Sequence, residues 1–557
     1  MHLQLRPAVG LGVAVVALAW LLPNHSPPWP SFFHEVWMAI ALLPLGGWLL
    51  IRSTDPVRWP LAALMVATVA AVPILQWAAG QIRFAGDAML AASYLLGLSL
   101  CIVIGARWRD IAPGEAAQCV FTTLLFAGIL STHLALLQWL RIDSLGVLLS
   151  DLPIGWRPNA NIGHANHLAT LLFLALVSLW GLYLRGNVRG SVAWFAAAYL
   201  LFGMAMTQSR TGWLEVALLV MAALIWSQRL RSRHSAVGLS ALLAFFVALV
   251  LLWPSINQAM LLDGGLTLTG QVQSGRRPAL WLAMGQALMA APWAGYGWTQ
   301  GVLAQQALLP LHAPLHIVFT YAHNLWLDLM LWNGIPLGLL ACAAILGWFW
   351  RQLRRVRGSD ESLLYLALLG LMLHAQFEFP HAYAYFLLPA GLMAGLLPGG
   401  GDRYLHRGVA MSLAAVVSIV PLMLAYEYAS AEAAWQRARM EAARIRMLPE
   451  HDGSRLRWLD QLQGLIDQSR LNPKGDLTAA EQASFTRVVE RFPGSSAWYR
   501  LALVRAHHAQ PAEATKALHS LCSMNAPTVC ATALNAWRVE SETNPQMALV
   551  QLPVMAP

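Results

Sequence analysis

The sequence predicts an all-α, polytopic membrane protein with about thirteen transmembrane helices. Of its 557 residues, 58% are hydrophobic and only 11% are charged, whereas a soluble domain usually carries about 25% charged residues. Apolar runs of about 17 to 20 residues recur along the first three quarters of the chain. Each run is long enough to cross a hydrocarbon core of about 30 Å as a helix.

The first apolar run follows Arg6 and precedes the proline-rich stretch 23–30, which has no small-residue cleavage signal. We therefore expect an uncleaved first helix rather than a signal peptide. The predicted spans are 7–23, 36–51, 60–78, 88–106, 115–139, 165–184, 190–207, 211–228, 236–253, 323–350, 361–377, 384–398 and 408–425.

The arginines predict the orientation of these spans. With the N-terminus in the cytoplasm, the cytoplasmic loops hold 16 arginines and the opposite loops hold 6, a strong positive-inside bias. The six outer arginines are Arg83, Arg141, Arg157, Arg210, Arg276 and Arg277. A membrane domain, 1–425, would then carry a large periplasmic loop at about 254–322, and a helical domain, 426–557, would also be periplasmic.

The formal charge of +9 does not predict nucleic-acid binding, because the positive residues are spread between helices where they set topology. The cytoplasmic loops are too short for a nucleotide-binding domain, and no glycine-rich phosphate loop is present. No cysteine–histidine spacing or acidic pair suggests a metal site. We expect no cofactor and no metal ion.

The tail has helical periodicity, and the stretches 497–502 and 512–518 look like one helix–turn–helix repeat of tetratricopeptide type. Fewer than three such units leave a small helical domain as the alternative. Cys522 and Cys530 lie close together here, so a disulfide is plausible if the tail is periplasmic. Cys101, Cys119 and Cys342 sit in apolar stretches and are expected to be inert.

Polar residues near a bilayer are costly and mark candidate functional positions, and here they gather in four places on the outer side. The first, 157–167, leads into a span with His164, Asn166 and His167. Free backbone N–H groups at such a helix entrance favour an anion, although a simple helix cap would look similar. The second, 207–212, is a short turn in which Arg210 suits a clamp on a lipid pyrophosphate or a snorkelling arginine.

The third place is the large loop, which carries Arg276 and Arg277 before an amphipathic stretch and ends with His323 and Asn324. Its tryptophans suit sugar rings, but anchoring at the membrane interface explains them equally well. The fourth, 374–383, includes Glu378 and Tyr383. Placing Glu378 in lipid would cost much free energy unless its side chain is paired or lies in a water-filled cavity. We expect the four segments to line one outward-facing cavity for an anionic, lipid-linked substrate.

These segments resemble the bacterial O-antigen ligase and polymerase superfamily, and most closely its PglL-type O-oligosaccharyltransferases, also called protein glycosylation ligases. The stretch 161–169 looks like that family's Gly-Gln-Pro-Asn-His-Leu-Ala segment, and 208–212 looks like its Ser-Arg turn. The stretch 274–276, followed by Trp281, resembles the Gly-Arg loop motif. His323 and Asn324, with Gly334 further on, resemble the ligase motif, and 376–386 resembles the Glu-Tyr-Pro-Leu-Trp-Tyr stretch.

The sequence departs from the family pattern at four positions. His164 stands where glutamine is common, Ala165 where proline is common, and Ala382 where tryptophan is usual. Leu337 occupies the position three after Gly334, where a small residue or tyrosine is expected. This last departure favours the protein-glycosylating branch over the lipopolysaccharide ligases.

The resemblance implies an enzyme that transfers a glycan from undecaprenyl diphosphate to a serine or threonine hydroxyl of a periplasmic, pilin-like protein. It implies that His323 acts as general base or orients the hydroxyl, as a histidine with an ordinary pKa near 6.5 can. Arg210 and Arg276 would complete the catalytic set by neutralising the diphosphate. The residues expected to bind substrate are Arg277, His164, Asn166, His167, Asn324, Glu378 and Tyr383.

Three other functions remain open at this point. The same architecture could ligate O-antigen to lipid A–core or polymerise its repeat units, and the sequence separates these from protein glycosylation poorly. It could also be a transporter of lipid-linked glycans. A transporter should place ionisable groups at the bilayer midplane and contain internal repeats, and the sequence suggests neither.

Overall fold

The computed structural model describes residues 7–51, 56–227, 230, 236–262, 275, 277–309, 313–400, 403–445 and 455–553. Apart from two strands of three residues and short 3-10 turns, its regular structure in these ranges is α-helical. The predicted all-α membrane fold is confirmed. The helices are α1 (Pro7–Ala17), α2 (Phe32–Ile51), α3 (Leu61–Val69), α4 (Ala71–Ala78), α5 (Ala85–Ile111), α6 (Pro113–Trp139), α7 (Ala165–Leu184), α8 (Gly190–Met206), α9 (Arg210–Ile225), α10 (Ala236–Ala259), α11 (Arg277–Ala290), α12 (Gly301–Ala307), α13 (Leu325–Arg355), α14 (Ser359–His374), α15 (Ala384–Leu396), α16 (Arg407–Ala442), α17 (Asp460–Arg470), α18 (Ala479–Arg491), α19 (Ser495–His507), α20 (Pro511–Met524), α21 (Pro527–Ser541) and α22 (Pro545–Ala548).

Within the described ranges, eight helical segments are long and apolar enough to cross a membrane, and three shorter apolar helices accompany them. The count of thirteen spans stays a prediction. The predicted span 165–184 coincides with α7, whereas 408–425 ends well before α16 does. The end of an apolar run predicts where contact with lipid ends, not where the helix ends. The helix formers Ala, Glu and Arg favour the continuation of α16 to Ala442.

Two further differences between the predicted and the observed elements involve residues 57–78. The predicted span 60–78 is broken at Ala70 into α3 and α4, and Pro73, which lacks an amide proton, sits in the first turn of α4 where it is tolerated. The strands β1 (Val57–Trp59) and β2 (Arg403–Leu405) pair antiparallel, with Arg58 opposite Tyr404. The sequence predicted only loops there, because strands this short form only when tertiary packing brings them together.

The chain divides into two compact units. The first comprises Met1–Val69, Ser93–Gly275 and Ile345–Met423, and the second comprises Ala70–Ala92, Arg276–Ala344 and Leu424–Pro557. The part of the large loop from Arg276 onwards and the tail therefore belong to the same unit. The predicted domains, 1–425 and 426–557, stay a prediction.

In the first unit α7 is the central helix, buried along most of its length and packed against α6, α8, α9 and α14. Small residues permit the close approach: a Cβ at Gly128 would lie 2.4 Å from Cβ of Ala175, and one at Gly370 would lie 2.0 Å from the ring of Phe173. Phe173 lies beside Gly370 and Thr170 lies beside His374, so α7 and α14 are antiparallel neighbours. The start of α7 consequently lies beside the end of α14.

In the second unit, α19 and α20 form a helical hairpin at the predicted helix–turn–helix, and its tetratricopeptide type stays a prediction. Its core includes Trp498, Val504 and Leu518. Cys522 and Cys530 are joined by a disulfide, and the three other cysteines are buried and free, as expected. Arg491 makes a two-pronged ion pair with Asp87 at 2.7 and 3.0 Å, which ties α18 to the start of α5.

Candidate functional site

The ends of three helices in the first unit carry most of the predicted site. The polar segment before α7 is held in place by Asn161, whose side chain bonds to the backbone of neighbouring segments. The Asn161 amide donates to the carbonyls of Leu21 and Leu148, each at 2.8 Å. Gly163 is left-handed with φ +79°, a conformation that suits glycine. His164 then takes the N-cap position of α7.

Five predicted residues form one group, which we call the helix-end cluster: His164, Asn166, His167, Glu378 and Tyr383. The Asn166 amide donates a 2.8 Å hydrogen bond to Oε1 of Glu378, and both side chains are buried. Nδ1 of His167 lies 3.0 Å from the hydroxyl of Tyr385. The first and fourth polar segments therefore meet, as the sequence predicted.

Aromatic rings surround His167. Its ring centroid lies 4.7 Å from that of His164 and 4.8 Å from that of Tyr383. The Tyr383 ring stacks on Phe379 at 5.8 Å with an interplanar angle of 24°. Ala382, which stands where the family usually has tryptophan, ends a 3-10 turn that also contains His381. Burial lowers the pKa of His381 to about 4, so its ring is neutral near pH 7.

The second polar segment is joined to the first. Arg157 donates a 3.1 Å hydrogen bond to the carbonyl oxygen of Gln208, which has φ +48°. Arg210 is the first residue of α9 and is partly exposed. A Cβ at Gly212 would lie 3.2 Å from Cβ of Ala169, so the first turn of α9 packs against the first turn of α7. Arg210 thus begins a helix beside the helix-end cluster.

Beneath the helix-end cluster lie polar groups that sequence reasoning did not assign to the site. We call Thr170, Glu215 and His374 the Thr170 network. The Thr170 hydroxyl donates to Oε1 of Glu215 at 2.6 Å and lies 2.7 Å from Nδ1 of His374. One signal was available, since Glu215 is the only acidic residue in the predicted span 211–228.

His323 lies in the second unit, where its turn is held by neighbours. The backbone N–H of Ala322 donates to Oδ1 of Asp328 at 2.8 Å, and the Trp281 indole donates to the Ala322 carbonyl at 2.9 Å. His323 is left-handed with φ +54° and partly exposed. Asn324 follows as N-cap of α13, because its Oδ1 accepts the backbone N–H of Leu327 at 3.1 Å. Its predicted contact with substrate stays a prediction.

Gly334, the last position of the ligase motif, has a structural role. It adopts φ +77° and ψ 170° inside α13, where a Cβ would lie 2.2 Å from the carbonyl oxygen of Trp293. The kink frees the carbonyls of Leu331 and Trp332, which accept the backbone N–H groups of Tyr296 and Gly297 at 2.8 and 3.2 Å. The loop that contains Tyr296 is thereby fixed to the helix that begins after Asn324.

The remaining predicted residues are two arginines. Arg277 is the first residue of α11 and is partly exposed, whereas Arg276 lies outside the described residues. Within the part of the chain that the structure describes, no group of three or more His, Cys, Asp or Glu side chains is arranged to hold a metal ion.

The "General O-oligosaccharyltransferase" of Acinetobacter baylyi is 30% identical to this chain over 425 residues, which cover 74% of each protein. The chain belongs to the O-oligosaccharyltransferase family. The "ComP-specific O-oligosaccharyltransferase" of the same organism is 26% identical over 390 residues, which cover 69% of this chain and 70% of the relative. Over residues 195–342 the chain matches the family described as "O-Antigen ligase", and over 363–524 it matches "Virulence factor membrane-bound polymerase, C-terminal". No solved structure matches it.

Membership in the O-oligosaccharyltransferases confirms the resemblance on which the sequence analysis relied. The protein is a glycosyltransferase of the O-antigen ligase superfamily. Its candidate spans and its family together make it an inner-membrane protein. The first of the two family matches ends within α13, beyond His323, and so includes Arg210, Arg276, Arg277, His323 and Asn324.

Proposed function

We propose that this O-oligosaccharyltransferase transfers an oligosaccharide en bloc from undecaprenyl diphosphate to a serine or threonine of a pilin-like protein, on the periplasmic side and without a metal ion. The observation that carries the proposal is the similarity, over 74% and 69% of the chain, to two O-oligosaccharyltransferases, the second of them named as ComP-specific. A member whose name specifies one protein supports a protein acceptor here too.

The reaction forms one bond and breaks one. The acceptor hydroxyl oxygen bonds to the anomeric carbon of the first sugar, with inversion, while the bond from that carbon to the diphosphate oxygen breaks. The hydroxyl proton passes to His323, and the bonding electron pair leaves with the lipid diphosphate. The turn at His323, anchored through Ala322 to Asp328 and Trp281, supports this role because a general base must be held in a fixed place.

The leaving diphosphate needs positive charge as the bond breaks. Arg210 and Arg276 are assigned this role with Arg277, because a guanidinium binds phosphate oxygens through two parallel N–H groups. The partial exposure of Arg210 and Arg277 supports it, since each can reach a ligand from its helix start. Arginines that supply this charge make a divalent cation unnecessary.

The helix-end cluster would position the donor and acceptor. Asn166 and Glu378 form a fixed pair of amide and carboxyl, and such groups hydrogen-bond sugar hydroxyls. The rings of His164, His167 and Tyr383 supply flat faces next to this pair. Asn324 would add a polar contact in the second unit.

The proposed orientation places the site and the tail in the periplasm. It rests on the bias of 16 to 6 arginines. The disulfide between Cys522 and Cys530 supports it, since disulfides persist in oxidising compartments such as the periplasm. Alkaline phosphatase fused after residue 553 should be active. An inactive phosphatase fusion and an active cytoplasmic reporter at the same position would reverse the orientation.

The central test is the intact mass of a type IV pilin co-expressed with the protein. The host makes an undecaprenyl-linked glycan and lacks its own O-antigen ligase. We expect the pilin to gain the mass of the glycan, and His323→Ala to abolish the gain while its membrane level stays normal. His316→Ala is the matched control, since His316 is a left-handed, exposed histidine of the same loop.

The alternatives give different products in the same cells. The match to the O-antigen ligase family makes attachment to lipid A–core the second candidate. An unmodified pilin with restored lipopolysaccharide ladders would establish that reaction instead. Longer lipid-linked glycans with neither product would establish a polymerase, in line with the second family match.

A further inference from the structure

The Thr170 network lies one helical turn along α7 from the helix-end cluster. Thr170 follows Asn166 by four residues and His167 by three, so all three share a face of α7. Its hydroxyl reaches Glu215 on α9 at 2.6 Å and His374 on α14 at 2.7 Å. All three side chains of the network are fully buried. One hydroxyl therefore joins α7, α9, which begins at Arg210, and α14, which leads into the turn with Glu378 and Tyr383.

The donor assigned at Thr170 sets the direction of the second bond in the network. The single proton of the Thr170 hydroxyl is donated to Oε1 of Glu215. With that proton engaged, the hydroxyl oxygen accepts the proton on Nδ1 of His374. This sets the tautomer of His374 and holds its ring in place. The ring of His167 meets it edge to face, with centroids 5.4 Å apart and an interplanar angle of 68°.

Packing alone does not account for a carboxyl group at position 215. The side chain of Glu215 is fully buried, and within the described residues its second oxygen, Oε2, has no hydrogen-bond partner. Burying such a group costs free energy, and an apolar side chain of similar volume would cost less. The carboxyl at this position needs a reason other than stability.

We propose that Thr170 and Glu215 are positioning residues for glycan transfer, which hold His374, and through it His167, in the orientation that the helix-end cluster requires. The hydrogen bond from Thr170 to Glu215 also sets the rotation of α9. It thereby sets the position of Arg210, which lies five residues before Glu215. The proposal rests on the function proposed for that cluster. Neither residue touches the reacting atoms in this role. A displacement of about 1 Å in a site can lower a rate on the order of a hundredfold.

The test removes the hydroxyl group of Thr170 and keeps the branched shape of its side chain. Thr170→Val is compared with Thr132→Val, the matched control, since Thr132 is also fully buried but, among the residues that the structure describes, its hydroxyl bonds only to Gly128 of its own helix. Purified full-length protein is assayed for glycan transfer to pilin at varied concentrations of the lipid-linked donor. Each rate is divided by the concentration of folded protein. We expect Thr170→Val to lower kcat/KM for the donor at least tenfold, Thr132→Val to leave it unchanged, and Thr170→Ser to recover most of the loss.

A second pair of variants keeps the test decisive if Thr170→Val folds poorly. Glu215→Gln retains an oxygen that accepts the Thr170 proton and should stay within about threefold of the natural enzyme. Glu215→Leu removes the acceptor and should lose as much as Thr170→Val. Equal rates per folded molecule in Thr170→Val and Thr132→Val would reduce the network to a structural role. Equal losses in Glu215→Gln and Glu215→Leu would mean that charge, not orientation, matters, and would also overturn the proposal.

The two proposals fail in different ways. If the natural protein transfers no glycan to pilin, the proposed function is wrong, whatever the variants do. If it transfers glycan and Thr170→Val does so equally well, only the positioning role is wrong. The comparison is therefore made after transfer by the natural protein has been measured.

Discussion

The side-chain amide of Asn166 donates a 2.8 Å hydrogen bond to the carboxyl group of Glu378, and this bond joins the start of α7 to the turn after α14. Burying a carboxyl group costs free energy that a hydrogen-bond partner offsets, and Asn166 is such a partner. The bond also fixes how far the turn at 374–383 reaches over α7. It thereby places Tyr383 against His167.

The Asn166–Glu378 pair can be tested by exchanging the positions of its amide and carboxyl groups. Asn166→Asp sets two carboxylates against each other in a buried place, so we expect at least a tenfold loss of transfer and lower thermal stability. Adding Glu378→Gln to Asn166→Asp restores one donor and one acceptor and should recover much of both. Transfer and melting temperature are measured for both single variants and the double variant. Purely additive effects would argue against a functional pair.

The turn at His323 depends on Asp328, which accepts the backbone N–H of Ala322. Asp328→Leu leaves that N–H without its acceptor, at a cost of about 1–3 kcal/mol, and should reduce transfer although His323 is still present. Asp328→Asn keeps an acceptor oxygen and should lose much less. The measurement is the rate of pilin glycosylation per folded enzyme. Full activity in Asp328→Leu would show that the turn does not need this anchor.

The kink in α13 requires glycine at position 334. Alanine there adopts a backbone conformation that is almost restricted to glycine, with strain of about 1–3 kcal/mol, and its Cβ meets the Trp293 carbonyl at 2.2 Å. We expect Gly334→Ala to lower the melting temperature clearly. Gly347→Ala in the same helix meets nothing within 4 Å and should be neutral or stabilising, because alanine favours helices by about 1 kcal/mol. Equal effects of the two substitutions would contradict this role for Gly334.

The burial of His381 predicts a pH dependence of stability. Its pKa falls from the ordinary 6.5 to about 4 because burial disfavours the charged ring. Between these values the unfolded chain binds more protons than the folded one, so stability falls as the pH drops from 6.5 towards 4. In His381→Gln the unfolding temperature should fall less steeply over that range. An unchanged slope would mean that other groups cause the dependence.

The helices and the segments of the site differ in how well the sequence predicted them. Long apolar runs predict helices because lipid leaves the backbone no other partner for its polar groups, and α7 was predicted to the residue. Asn166 and Glu378 were predicted because polar groups stand out at the ends of such runs. Thr170 was not, since a threonine inside an apolar helix usually bonds to its own backbone, as Thr132 does.

The sequence by itself determined that this is an all-α membrane protein with polar segments at the ends of its helices, and its motifs indicated the O-oligosaccharyltransferases. Hydropathy and short motifs are local properties, so they can be read without the fold. Only the tertiary structure decided that Asn166 meets Glu378, 212 positions away, and that Thr170 reaches Glu215 and His374. Such pairs depend on the rotation and packing of separate helices, which the spacing of residues along one chain does not specify.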